Sequence, residues 1–254
     1  MGSETKPKSE SSRAAVSIAM DDAPWLDDAA INEVLASTPI HLRATVRNGT
    51  PSLGSGAVYP IPLEDIVLKQ SDVAKLRPLP PHWKYLYGMD VGWNKTAVVF
   101  LAKDPDTDTI YVTDEYYQGQ QQPEVHAARI HQKGGDWMHG VIDPASRGRS
   151  QDDGTQLIRI YRALGLKVRL ADNAVESGIY NVWSRLSAGT LKFFPNTPGL
   201  QNEYLLYRRD DNGKVVKQND HALDALRYGI NTFEHATSVP ARPVAKPPSR
   251  KYNV

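Results

Sequence analysis

Tyr85-Leu86-Tyr87-Gly88-Met89-Asp90-Val91-Gly92 reads as a β-strand, apolar over its first five residues, that ends in an acid. A carboxylate at that point lies where the strand opens into a turn, inside an otherwise dry sheet, and burying it needs a reason. Outward from this strand, residues 96–102 and 110–116 repeat the apolar run, and Asp104-Pro105-Asp106 marks the turn between them. Three strands in an antiparallel meander follow. Beyond them the pattern predicts a helix over 123–132, a short strand over 140–142, a helix near 155–164, a strand over 167–170 and a helix over 175–187. The expected fold is α/β: a mixed sheet that joins the three-strand meander to parallel strands, flanked by helices. Residues 190–194 read as a further short strand, and 220–234 as a long amphipathic helix.

The rest of the chain divides by composition. Residues 1–18 mix Ser, Lys and Glu without hydrophobic period and are expected to be disordered or vector-derived. Residues 19–80 read as a linker or small subdomain, 81–237 as the main domain, and 238–254 as a Pro-rich basic tail. With 30 Lys and Arg against 29 Asp and Glu, the net charge of +1 gives no global basic field, so nucleic-acid binding has to rest on local clusters. The absence of Cys removes thiolate nucleophiles and Cys-ligated zinc. Any metal site is then built from carboxylates and His, which favours Mg²⁺ or Mn²⁺. No apolar run reaches the roughly 18 residues of a membrane span and no signal-peptide core is seen, so a soluble intracellular protein is expected.

Asp90 has counterparts. Asp143 ends the run Gly140-Val141-Ile142 and is followed by Pro144, which stops the strand. Residues at the carboxyl ends of neighbouring strands converge on one crevice, where two facing acids call for a cation. Asp220 and Asp224, four apart on the last helix, share a face, and Leu223, Leu226 and Ile230 supply the adjacent apolar stripe. Three of the four acids have a structural alternative: a turn cap through Asn94 and Thr96 for Asp90, an N-cap for Asp220, and an ion pair with Arg227 for Asp224. As a set from first strand, fourth strand and final helix, they match what an RNase H-type fold uses to hold two divalent cations.

Supporting residues are read in the same way. Lys95, Arg147 and Arg149 lie just past the two acidic strands and could contact phosphates, as could the cluster Arg208, Arg209, Lys214 and Lys217. A solvated charge is the alternative for each. His221 is an accessory candidate for proton transfer. Asn173 and Glu176 match a helix capping box, and Trp93 and Trp183 are expected in the core or on a groove wall rather than as base-stacking platforms.

The chain resembles the large terminase subunit of tailed bacteriophages and prophages over about residues 20–235. The resemblance is carried by Tyr87-Gly88-Met89-Asp90-Val91-Gly92-Trp93-Asn94, by Ile142-Asp143-Pro144-Ala145-Ser146-Arg147-Gly148-Arg149-Ser150, by Asp172-Asn173-Ala174-Val175-Glu176, and by Asn219-Asp220-His221 through Tyr228. It implies a metal-dependent endonuclease that cuts double-stranded viral DNA with low sequence specificity during packaging in the host cytoplasm. Asp90, Asp143 and Asp224 would be catalytic metal ligands, with Asp220 as an extra or alternative ligand. The family joins such a nuclease to a packaging ATPase, and implies the portal and the small terminase subunit as partners. No Gly-x-x-x-x-Gly-Lys-Ser/Thr phosphate loop occurs in this chain, so the ATPase domain is missing and no ATP hydrolysis is expected. Rival readings are a junction resolvase or other nuclease of the same fold, a sugar-kinase-like phosphate binder on Asp90-Val91-Gly92, and a packaging docking module acting through the tail.

Overall fold

The computed structural model describes residues 19–37, 47, 56–144, 157–210 and 212–240. Arg147, Arg149, most of the turn-rich passage 48–56 and nearly all of the tail lie outside them. The chain divides into two units, Met1–Ser55 and Gly56–Val254. In the first, helix α1 (Asp28–Ser37) starts where Asp27 Oδ1 accepts the Ala30 amide at 2.7 Å, a side-chain cap on an otherwise orphaned donor.

The second unit is built on six strands: β1 (Lys84–Val91), β2 (Thr96–Lys103), β3 (Ile110–Gln118), β4 (His139–Ile142), β5 (Lys167–Leu170) and β6 (Leu191–Phe193). Their spatial order is β5-β4-β1-β2-β3-β6. β1, β2 and β3 form the antiparallel meander, while β4 lies parallel to β1 and β5, and β6 parallel to β3. The helices are α2 (Leu63–Ile66), α3 (Gln70–Leu76), α4 (Pro123–Gly134), α5 (Leu157–Ala163), α6 (Val175–Ser187), α7 (Pro198–Leu206) and α8 (His221–Asn231). The mixed sheet expected from sequence is therefore present. α2, α3 and α7 had no counterpart in the sequence reading, and the expected final helix ends earlier, with a 3-10 turn at Phe233–His235. Among the described residues no helix is long and apolar enough to cross a membrane.

Strand alternation sends successive side chains to opposite faces. Tyr85, Tyr87 and Met89 of β1, with Val98, Phe100 and Ala102 of β2, pack on one side with Ala127 and Ile130 of α4 and Ile158 and Tyr161 of α5. Ala97, Val99 and Leu101 of β2 pack on the other with Leu223, Leu226 and Ile230 of α8, the stripe expected from sequence. Residues 56–80, read from sequence as linker or small subdomain, contribute Val58, Tyr59 and Ile66 to this second core. Two apolar side chains and a tyrosine ring buried there make the segment part of the packing. Gly88 permits the close approach of α8: a Cβ on it would lie 1.9 Å from Ala225 O.

A bulge in β3 has consequences for the site. Phe100 pairs with Asp114 and Leu101 with Val112, so Thr113 is the extra residue, its hydroxyl donating to Phe100 O at 3.2 Å. One inserted residue exchanges the two faces of everything beyond it. Tyr116 consequently joins the α4 side, and Tyr117 packs against the α8 side.

Candidate active site

Asp90 and Asp143 each follow the paired residues Met89 and Ile142 on adjacent parallel strands. The Asp143 amide donates to Met89 O at 3.2 Å, which ties the two strand ends together. Asp90 has the parity of Gly88 and Asp143 that of Val141, so both carboxylates leave the sheet on the α8 side. Helix α8 runs antiparallel to β1, with Tyr228 packed on Leu86 and Val141. One turn back from Tyr228, about 6 Å along the helix, stands Asp224. Two residues on from Val141, about 6.6 Å along the strand, stands Asp143. The third acid is thus level with the strand tips. Three residues further back, His221 Nδ1 lies 2.8 Å from Asp90 Oδ2.

The electrostatics report the same convergence. Burial pushes the Asp90 carboxyl above its ordinary range, the His221 bond pulls it back, and the Asp224 and Asp143 charges push it up again. The bond to Asp90 raises the His221 imidazole, which favours its charged form. Burial, followed by the Asp224, Asp143 and Asp90 carboxylates, drives the Tyr228 phenol far above its usual value.

Each acid is engaged by protein groups. Arg227, 1% exposed, donates through Nη2 to Asp224 Oδ1 at 2.8 Å, so the ion pair considered from sequence exists. Lys217 Nζ lies 3.4 Å from both Asp224 Oδ2 and Asp220 Oδ2. The latter distance lacks hydrogen-bond geometry, and Asp220 Oδ2 is buried with no hydrogen-bond partner. Asp90 does not cap its turn: Thr96 Oγ1 donates to Gly92 O at 3.2 Å instead. Asp220 stands at the N-cap position of α8 but makes no side-chain cap bond. The capping acceptor is Glu203 of α7, whose Oε2 takes the amides of Ala222 at 2.6 Å and Leu223 at 3.1 Å. Its Oε1 accepts the Tyr117 hydroxyl at 2.6 Å.

Among the described residues no three His, Asp or Glu side chains form a group that could hold a metal ion as placed. The donor chemistry nevertheless suits a hard divalent cation: clustered carboxylates, a half-buried Asp90 pushed towards its neutral form by burial and its acidic neighbours, and an Asp220 oxygen without a hydrogen-bond donor.

The outer residues divide differently from the sequence expectation. Lys95 is exposed beside the site with its Nζ 4.7 Å from the centre of the Tyr117 ring. Arg208 and Lys214 are exposed, whereas Arg209 is bound bidentately by Glu176 at 2.7 and 3.0 Å and donates to Gly213 O. The Asn173–Glu176 capping box is not formed. Helix α6 starts one residue later, after Ala174, because Asp172 Oδ1 accepts the Ala174 amide, and Glu176 turns to Arg209. Trp93 is 63% and Trp183 38% exposed, which excludes the core position for both. Trp93 sits on the β1–β2 turn, where its carbonyl accepts the Gln120 amide. Glu203 and Tyr117 had no signal in the sequence, since neither spacing nor flanking residues mark a buried acid on α7.

A mixed sheet in this strand order, with acids at the tips of β1 and β4 and a third on the covering helix, defines an RNase H-like nuclease fold. The model of the terminase RNaseH-like domain matches residues 87–233, and the chain belongs to that family. The terminase large subunit of Salmonella phage P22 is 30% identical over 251 aligned residues, taking in 94% of this chain and 48% of the relative. That of Enterobacteria phage LP7 is 30% identical over 229, with 86% and 46% covered. The chain spans about half the length of these curated relatives. The nuclease domain of the P22 large terminase superposes with a TM-score of 0.66 at 27% identity, over 73% of this chain and 96% of that one. The large terminase of a thermophilic bacteriophage, in complex with ADP, shares the fold at a TM-score of 0.59 and 24% identity, over 85% and 54%.

Proposed function

We propose that residues 81–237 form a metal-dependent endonuclease domain that hydrolyses phosphodiester bonds of double-stranded DNA with low sequence specificity. The observation that carries this reading is the placement of Asp90 and Asp143 at the ends of the paired strands β1 and β4, beneath the helix α8 that carries Asp224 and bonds Asp90 through His221. Membership of the terminase family supports viral packaging in the host cytoplasm as the setting, with the ATPase domain, portal and small subunit as partners. Without a phosphate loop the chain itself is not expected to hydrolyse ATP.

Asp90, Asp143 and Asp224 would hold two divalent cations, Mg²⁺ or Mn²⁺, with Asp220 as an extra or alternative ligand. Bound there, such a pair would activate the attacking water and stabilise the leaving oxygen. His221 holds the Asp90 carboxylate in place and is positioned to move a proton. Arg227 fixes one oxygen of Asp224, while Lys217, on the long contacts, is the protein cation most easily exchanged. Lys95, at the rim, meets the phosphate backbone, as would Arg208. Arg147 and Arg149 follow Asp143 in sequence and would serve neighbouring phosphates. Arg209 reaches DNA only by leaving Glu176.

Incubation with supercoiled plasmid is expected to give nicked and linear DNA in Mg²⁺ or Mn²⁺ and none with a chelator. Asp143→Ala and Asp224→Ala should lose the products as well. DNA binding without cutting in either cation would instead point to a docking role. Because contacts to phosphate release counterions, affinity for a random duplex should fall about tenfold or more between 50 and 200 mM salt. A titration showing equal affinity at both salts would remove the backbone-recognition part of the reading.

A further inference from the structure

We propose that Glu203 is a positioning residue for the nuclease site: it supplies the N-terminal cap of α8 from α7, leaving Asp220 free to face the acids. The inference rests on the active-site reading above. The first turn of a helix leaves amides that need acceptors, and the residue at the N-cap normally provides one. Asp220 occupies that position and does not. Glu203 does so instead, and its second oxygen is fixed by Tyr117, which the β3 bulge turns to this face.

The linkage continues one step towards the sheet. Glu115, also brought to this face by the bulge, accepts the amides of Gly199 at 2.7 Å and Leu200 at 2.8 Å in the first turn of α7. Two carboxylates thus clamp two successive helix starts to β3. The outcome is a fixed height for the turn that carries Asp220, His221 and Asp224 above Asp90. An N-cap aspartate spent on its own helix would point back at the amides. Borrowing the cap from α7 releases it.

The test uses Glu203→Leu, Glu203→Gln and Glu203→Asp in the full chain, with three readouts. One is amide exchange at Ala222 and Leu223 together with the His221 ring resonances, by NMR without added metal. The second is Mn²⁺ affinity by titration. The third is kcat and KM for plasmid nicking. Gln keeps an acceptor for the amides and a polar partner for Tyr117, while Asp keeps the charge but is too short. Glu203→Leu and Glu203→Asp are expected to speed exchange at both amides and shift the His221 signals. They should also weaken Mn²⁺ binding about tenfold and lower kcat roughly 10–100-fold with KM within about threefold, as small misplacements of a reacting group do. Glu203→Gln should restore most of each. If Glu203→Leu does not fold, Glu203→Asp carries the comparison with Gln. A folded Leu or Asp variant with wild-type exchange, Mn²⁺ affinity and kcat would overturn the proposal, as would Gln failing as badly as Leu. Wild type that cuts in no cation would overturn the nuclease reading, while amide exchange and the His221 signals still decide the positioning.

Discussion

Asp90→Asn is expected to lower plasmid nicking by about three orders of magnitude in Mg²⁺ or Mn²⁺, a loss of the size seen when one electrostatic partner of a transition state is removed. Asn has the shape of Asp and its amide oxygen can still face His221 Nδ1, 2.8 Å from the native carboxylate. What disappears is the charge. In the wild-type chain that charge is held at a cost, since burial and the Asp224 and Asp143 carboxylates all push Asp90 towards its neutral form. The variant should therefore be at least as stable as wild type in the absence of added metal, which thermal unfolding can check, and its affinity for duplex DNA should be equal or higher. A variant that keeps its fold, binds DNA and still nicks within tenfold of the wild-type rate would show that Asp90 is not part of the chemistry.

Gly88→Ala is expected to destabilise the domain by at least about 3 kcal/mol, at the upper end of what overpacking costs. The added methyl would sit 1.9 Å from Ala225 O and 3.0 Å from both Ala225 C and Gly229 N. All three are backbone atoms of α8, so no rotamer change relieves the clash and the helix has to lift from β1. Ala225, Leu223 and Leu226, all but fully buried on the sheet, would lose contacts together. For a chain of this size that is a fall in melting temperature of roughly 6–12 °C. Cutting should weaken too, because Asp224 travels with the helix. Gly213→Ala is the contrast: its φ of 76° carries a backbone strain, but a Cβ there meets nothing within 4 Å, and a loss of only about 1 kcal/mol is expected. Equal melting temperatures for Gly88→Ala and wild type would mean that α8 does not lie against β1 as described.

The readable parts of the chain were those whose signals are local. The apolar runs of β1, β2 and β3 stand between clear turns, and Val175–Ser187 was found at its true ends because its apolar positions recur at helical spacing. α7 was missed because Pro198-Gly199 looks like a turn and Gln201-Asn202-Glu203 looks like solvent-exposed polar sequence. Its Glu203 is nonetheless 2% exposed, since its acceptors meet donors from β3 and α8 that are remote in the chain. The reverse error occurred at Asn173 and Glu176, where correct local spacing was outweighed by Arg209, 33 residues away.

From sequence alone came the mixed α/β sheet, the acids at two strand ends, the apolar stripe of the last helix and the family resemblance. Each follows from period, turn chemistry or motif, which neighbouring residues encode. Only the tertiary structure decided that Asp224 stands level with Asp143, that His221 meets Asp90, that Asp220 leaves the capping of its own helix to Glu203, and that a bulge at Thr113 turns Tyr117 towards Glu203. Those facts depend on how far a helix is shifted along a sheet and which face a strand presents after an inserted residue. Contacts between distant segments set both, and no window of sequence contains them.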